Sequence, residues 1–211
     1  MKTPAKSAPS PKQARAQETI EAVIAEANRA MKSGGESAVR IQEISAATKV
    51  SIGSIYHHFG DRDGIIRATY VHNYANVVRV DIERIKNWIR DMHSTSDLAI
   101  RRDEMLSFLV SHFQRLPSIE RAAIIGNTVG RPMLREALAK VQNELTNSLT
   151  EVMQIFKDRG MLKAHLNPRA AAVVFLGLLH GKVISDIDTD AVSDNDWNIA
   201  MLTTFGGLLN L

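Results

Sequence analysis

Seven histidines and a run of aspartates carry the most obvious chemistry in this 211-residue chain, and neither builds a catalytic centre. No two histidines stand in the HExxH spacing of a zinc hydrolase, and no serine sits in the glycine-flanked elbow of a nucleophilic hydrolase. His112 and His180 lie in mainly apolar stretches, where a histidine is usually a hydrogen-bonded core residue. Asp186, Asp188, Asp190, Asp194 and Asp196 imitate the first half of a calcium loop, but Ala191 replaces the turn glycine and Trp197 the bidentate glutamate, which leaves a solvated loop. With no cysteine, disulfides, thiolate metal sites and zinc fingers are excluded. No glycine-rich phosphate loop occurs, so we expect no metal, no cofactor and no enzyme. What remains is a recognition surface. At about 100° per residue, Gly53, Ser54 and His57 share one side of a short helix, flanked by Ile52, Tyr56 and His58. Small groups, hydrogen-bonding groups and rings without an acid suit entry into a DNA major groove; the plain alternative is a surface helix turn.

Holding that face outward requires a small helical scaffold, and residues 41–60, IQEISAATKVSIGSIYHHFG, supply one. Ile41, Ile44 and Ala47 recur at steps of three and give a first helix its narrow apolar side. Lys49, Val50 and Ser51 make the turn, with Val50 covering the core and Ser51 placed to accept a hydrogen bond from a free N–H of the next helix. From Ile52 a second helix follows, with Ile55 and Phe59 inward and Gly60 at its end. Upstream, Ile20, Val23, Ile24 and Ala27 mark a supporting helix over 15–31 that Ser33-Gly34-Gly35 stops.

The stretch resembles the DNA-binding domain of the TetR family of bacterial transcription regulators. The resemblance rests on Ile44-Ser45, Val50-Ser51 and Gly53-Ser54-Ile55-Tyr56-His57-His58-Phe59, followed by Asp61-Arg62-Asp63 at the start of a fourth helix. Two positions depart from the pattern: Lys49 stands where a turn glycine is usual, and Arg40 where a threonine cap is usual. A positive φ at Lys49 would cost about 1 kcal/mol. The resemblance implies that Gln42, Ile52, Gly53, Tyr56 and His57 approach bases or adjoining backbone, with Ser54, His58 and Arg62 directed to phosphates.

Charge distribution agrees with a DNA-binding N-terminal end. Residues 1–75 hold ten Lys/Arg against seven Asp/Glu, and 76–211 hold sixteen of each, so the net charge of +3 is N-terminal. Residues 1–14, rich in Pro and Lys, read as a disordered basic arm, 15–60 as the helix-turn-helix domain and 61–211 as a ligand-binding and dimerisation domain. No signal peptide is evident, and the apolar run from Ala170 to Leu179 is short of the ~20 residues of a membrane span, so a soluble cytoplasmic protein without membrane contact is expected.

Apolar periodicity continues through Ile65, Ile66, Ala68, Val71 and Tyr74 to Ile89, as one helix or two. Further helices follow from Asp97 to Pro117, from Ile119 to Ile125, from Pro132 to Gly160, from Ala170 to Ile184 and from Trp197 to Leu211. The fold class is all-α, with about nine helices. The last two are apolar nearly all round and need burial on several sides. Phe175, Leu179, Leu202, Phe205 and Leu209, with Gly177 and Gly181 allowing close approach, make them a candidate homodimer interface, which the resemblance also implies; plain intramolecular core is the alternative. Met105, Phe108, Leu109, His112 and Phe113 on the fifth helix, Val71 and Tyr74 on the fourth, Asn127, and Leu149, Met153 and Phe156 on the long helix are candidates for an apolar effector pocket. His112 and Asn127 would be its polar anchors. The expected function is a homodimeric regulator on a palindromic double-stranded operator; the resemblance implies a repressor, released by a small apolar effector. Its rivals are a structural or occluding DNA-binding protein without an effector, and an enzyme using the helical cavity.

Overall fold

The computed structural model describes residues 10–90, 92–101, 104 and 117–210. Among them the secondary structure is helical, apart from one isolated antiparallel bridge between Leu162 and Leu209. The chain divides into two compact units at His72/Asn73.

The first unit is built on α1 (Pro11–Gly34), α2 (Ile41–Thr48), α3 (Ile52–Phe59) and the first turns of α4 (Arg62–Arg90). α1 starts four residues before the apolar periodicity suggests, inside the stretch read as arm. A capping box explains this: Gln13 N–H donates to Ser10 Oγ, Ser10 N–H donates to Gln13 Oε1, and Pro11 occupies the first turn where no N–H is needed. The core gathers Val23, Ile24, Ala27, Val39, Ile41, Ile44, Ile55, Phe59, Ile65 and Ile66. Ala47, expected on the inward side of α2, is exposed. Between α2 and α3, Lys49 is left-handed at φ 62°, as a tight turn demands. Ser45 Oγ donates to Val50 O at 2.7 Å and fixes the turn from within, while Ser51 caps α3 by accepting from Ser54 N–H. Gly60 (φ 79°) ends α3, and Asp61 Oδ1 accepts from Gly64 N–H at 2.6 Å to start α4. Gly64 is obligatory there, because a Cβ would stand 1.8 Å from Phe59 O.

In the second unit α4 continues without a break to Arg90, which resolves the one-or-two-helix alternative. With it come α5 (Thr95–Ile100), α6 (Ser118–Gly126), α7 (Pro132–Asp158), α8 (Pro168–Asp186) and α9 (Asp194–Gly206). α8 packs mainly on α7 and also on α6 and α9. Its start is set by Asn167, whose Oδ1 accepts from Ala170 N–H, with Pro168 in the first turn. α8 is also long and apolar enough to cross a membrane, beyond the run read from the sequence. Here it buries Ala171, Ala172, Phe175, Leu176 and Leu179 against its neighbours. α9 ends at Gly206, and the chain then turns back: Leu209 bridges Leu162, and Asn210 N–H donates to Met161 O.

Candidate functional site

α3 presents two sides of opposite character. Ile55 and Phe59, four residues apart, are buried in the domain core. Ile52 (41% exposed), Tyr56 (49%), Gly53 and His57 face solvent, with Ser54 and His58 half-buried at the margins. Gln42 on α2 is exposed as well. Ile52 and Tyr56 therefore stand beside Gly53 and His57 on one solvent-facing side of α3, away from the domain core. Gly53 meets no atom within 4 Å of where a Cβ would sit, so packing within the chain does not require a glycine there. No acidic residue lies in the first turn of α3, whose N-terminal N–H groups favour phosphate, and Lys49 adds an exposed cation beside it.

Arg62 is placed differently from the other candidates. Its guanidinium donates to Val39 O (2.9 Å) and to Glu36 O, and lies 3.6 Å from Asp63. It thereby ties the start of α4 to the short 3₁₀ turn at Glu36–Ala38, which Tyr70 also reaches by donating to Glu36 Oε1.

The second unit contains a small cavity of about 20 Å³, room for one water. α4 contributes Tyr74, Val77, Val78, Asp81 and Ile85; α6 contributes Arg121; α7 contributes Leu145 and Leu149; α8 contributes Phe175, Leu176, Leu179 and His180. Of the residues chosen from the sequence, Tyr74 and Leu149 line it. Met153 and Phe156 are buried core, Asn127 sits at the C-cap of α6, and Val71 is half-buried in the first unit; none of these four lines the cavity. Met105, Phe108, Leu109, His112 and Phe113 lie outside the described residues. Sequence reasoning missed the polar members Asp81, Arg121 and His180.

Those polar members are well enclosed: Asp81 is 3% and Arg121 2% exposed. Burial pulls the Arg121 pKa below its usual value, opposed by the nearby Tyr74 and Asp81. Burial likewise raises that of Tyr74, opposed by Arg121. The Tyr74 hydroxyl donates to Gln142 Oε1, and Gln142 Nε2 donates to Thr146 Oγ1 at 3.1 Å. His180 Nδ1 is 2.7 Å from Leu176 O, a carbonyl that can only accept, so Nδ1 carries the hydrogen.

The residues expected at a dimer interface are placed mostly inside the chain's own core. Phe175, Leu179, Phe205 and Leu209 are buried, with Phe175 and Phe205 in ring contact at 4.8 Å between centroids, and Leu202 is half-buried. The apolar residues that α8 leaves in solvent are others: Val173, Val174 and Ile184 (71% exposed), with Ile187 just beyond its end. Among the described residues, no group of three His, Asp or Glu is placed to hold a metal ion.

Residues 23–69 match the family model described as "Bacterial regulatory proteins, tetR family". No curated protein matches the chain. Among solved structures, one described as a TetR-family transcriptional regulator from Mesorhizobium loti is similar at a TM-score of 0.73 with 18% identity, over 93% of this chain and 99% of that one. A second, from Rhodococcus sp., has a TM-score of 0.67 with 19% identity, over 92% and 100%. A transcriptional regulator from Saccharomonospora viridis, solved in complex with choline, has a TM-score of 0.63 with 14% identity, over 92% and 98%. With its exposed α3 face and its second helical unit, the chain carries the DNA-binding domain of the TetR family of bacterial transcription regulators, set in that family's fold.

Proposed function

We propose that this DNA-binding regulator acts in the cytoplasm as a homodimeric repressor that leaves a palindromic operator when a small, largely apolar effector enters the cavity of the second unit. The observation that carries the DNA reading is the solvent face of α3: Ile52, Gly53, Tyr56 and His57 stand outward while Ile55 and Phe59 anchor the helix. Gln42, Ser54 and His58 complete the contact surface in this reading, toward bases for the first and phosphates for the other two.

Support for a second copy comes from α8. Val173, Gly177 and Ile184 follow one another at steps of four and seven, so they share a stripe, and an exposed apolar stripe of this kind favours isologous pairing. Two-fold pairing presents two identical recognition helices, which is why a palindromic site is expected.

The cavity favours an effector-responsive regulator over a structural DNA-binding protein, because a purely architectural protein has no use for buried polar groups around an apolar hollow. As it stands the cavity admits about one water, so an effector must spread the helices around it. One of them is α4, continuous from Arg62 to Arg90, which makes it the route by which occupancy is felt at the DNA-binding end. The choline-bound regulator from Saccharomonospora viridis is a protein of the same fold that takes a small molecule.

The test is selection of bound duplexes from a random-sequence pool, followed by binding assays with Gly53→Leu. A leucine there meets nothing within the chain and improves helix propensity by about 0.5–1 kcal/mol, so thermal stability should hold or rise. Affinity for the selected sequence should fall by about tenfold or more, the scale of one base contact. Retention of full affinity would remove α3 from the interface.

A further inference from the structure

Every base pair shows hydrogen-bonding groups in the DNA major groove, and only thymine adds an apolar one there, its C5-methyl. A recognition helix meets base edges with its N-terminal residues. In this chain that end opens on Ile52, the first residue of α3, whose side chain is 41% exposed and carries neither donor nor acceptor. Gly53 follows, with nothing within 4 Å of where a Cβ would sit, so no side chain next to Ile52 holds the helix off a surface it approaches. The first turn of α3 has no acid, and Lys49 is exposed just before it, both of which favour a polyanion over an apolar protein surface.

Hydrogen-bonding readers are scarce on this helix. None of the eight residues of α3 is Arg, Lys, Asn or Gln, the side chains that grip guanine or adenine through two hydrogen bonds. The exposed Tyr56 hydroxyl and His57 ring can each donate or accept, so either suits several base edges. Ile52 is more selective, because hydrocarbon set against an amine or carbonyl edge strips water from that group and returns no hydrogen bond. Against a thymine methyl it removes apolar surface from water on both sides, worth about fourfold in affinity for one methyl.

We propose that Ile52 is a specificity-determining residue that reads thymine, packing on the C5-methyl of one thymine in each half of the operator. This selection rests on α3 being the DNA-contacting helix, as proposed above, and specifies one base within that site.

The experiment uses the full chain and the duplex selected from the random-sequence pool, with each thymine in turn replaced by uracil, which differs only in lacking the methyl. Anisotropy titration should show a loss of about fourfold at one position in each half-site. Cytosine at that position should cost more, and 5-methylcytosine should regain about fourfold over cytosine. Ile52→Ser should weaken binding to the thymine duplex and abolish the uracil penalty, while Ile52→Val should keep it; thermal melting checks that each variant is folded. Should Ile52→Ser fail to fold, Ile52→Ala, which shortens the same side chain, decides. Equal affinity for thymine and uracil duplexes throughout the scan, with Gly53→Leu still weakened, overturns the thymine assignment alone. So does a uracil penalty that persists undiminished in Ile52→Ser. A pool that yields no duplex, or full affinity in Gly53→Leu, overturns the α3 reading itself and the thymine assignment with it.

Discussion

Lys49 adopts the left-handed conformation that the turn between α2 and α3 requires, with a side chain that this conformation disfavours. Lys49→Gly should therefore stabilise the first unit by about 1 kcal/mol, visible as a higher urea midpoint with unchanged slope. The same substitution removes a cation beside α3, so any gain in stability should come with weaker binding to all duplexes alike. Arg62 illustrates the opposite case, a charged residue whose sequence position suggested phosphate. Its guanidinium holds the carbonyls of Val39 and Glu36. Arg62→Ala should cost about 2 kcal/mol of stability, the worth of charge-assisted hydrogen bonds, and leave the salt dependence of DNA binding unchanged. A salt slope flatter by about one unit with unaltered stability would return Arg62 to the phosphates.

At the level of elements, α6, α8 and the start of α9 are joined by one ionic cluster. Lys182 Nζ lies 2.5 Å from Asp186 and 2.8 Å from Asp194, and Ser118 Oγ donates to Asp186 Oδ2. Burial alone would lower the Lys182 pKa and raise that of Asp186. The mutual hydrogen bonds win, so Lys182 is held above its ordinary 10.5 and Asp186 below its ordinary 3.8. The stability from Asp186 is present above pH 3.8 and lost as pH falls through its lower folded value. That from Lys182 is present below pH 10.5 and lost as pH rises through its higher one. Lys182→Met should cost about 2 kcal/mol near neutrality, less than a wholly buried pair because Asp194 is mostly exposed, and should flatten the acid limb of a stability–pH curve. An unchanged acid limb would exclude the cluster as a contributor.

Elements were legible in the sequence where their signals are local. Ser51, Asp61, Gly60 and Asn167 cap or close helices through their own side chains or backbone freedom, and each does so in the structure. The Ser10 capping box precedes the first apolar residue, where periodicity has nothing to count. Asp81 and Arg121 are hidden from periodicity for a related reason: charge on a helix reads as a solvent-facing position. Yet Asp81 falls three residues after Val78 and four before Ile85, on the inward side, and that placement was the available signal. On α8, apolar on almost every side, periodicity cannot tell the side that meets its own chain from the side that does not. Only the packing of α6, α7 and α9 around it separates Phe175 and Leu179 from Val173 and Ile184.

For the molecule as a whole, that exposed stripe carries the proposed pairing. Val173→Glu with Ile184→Glu alters residues that face solvent in one protomer, so each chain should still fold, while sedimentation should shift from dimer to monomer. A dimer that survives both charges would place the contact elsewhere. In that reading stability is also a matter of mass action. If pairing is what covers Val173, Val174 and Ile184, the melting temperature rises with protein concentration rather than being a fixed property of the chain. Below the dissociation constant of the pair, the population of dimers follows the square of the chain concentration. In the proposed dimer, operator occupancy then responds to modest changes in expression more steeply than one-to-one binding would, and at an operator far from saturation halving the regulator would cut occupancy by more than half.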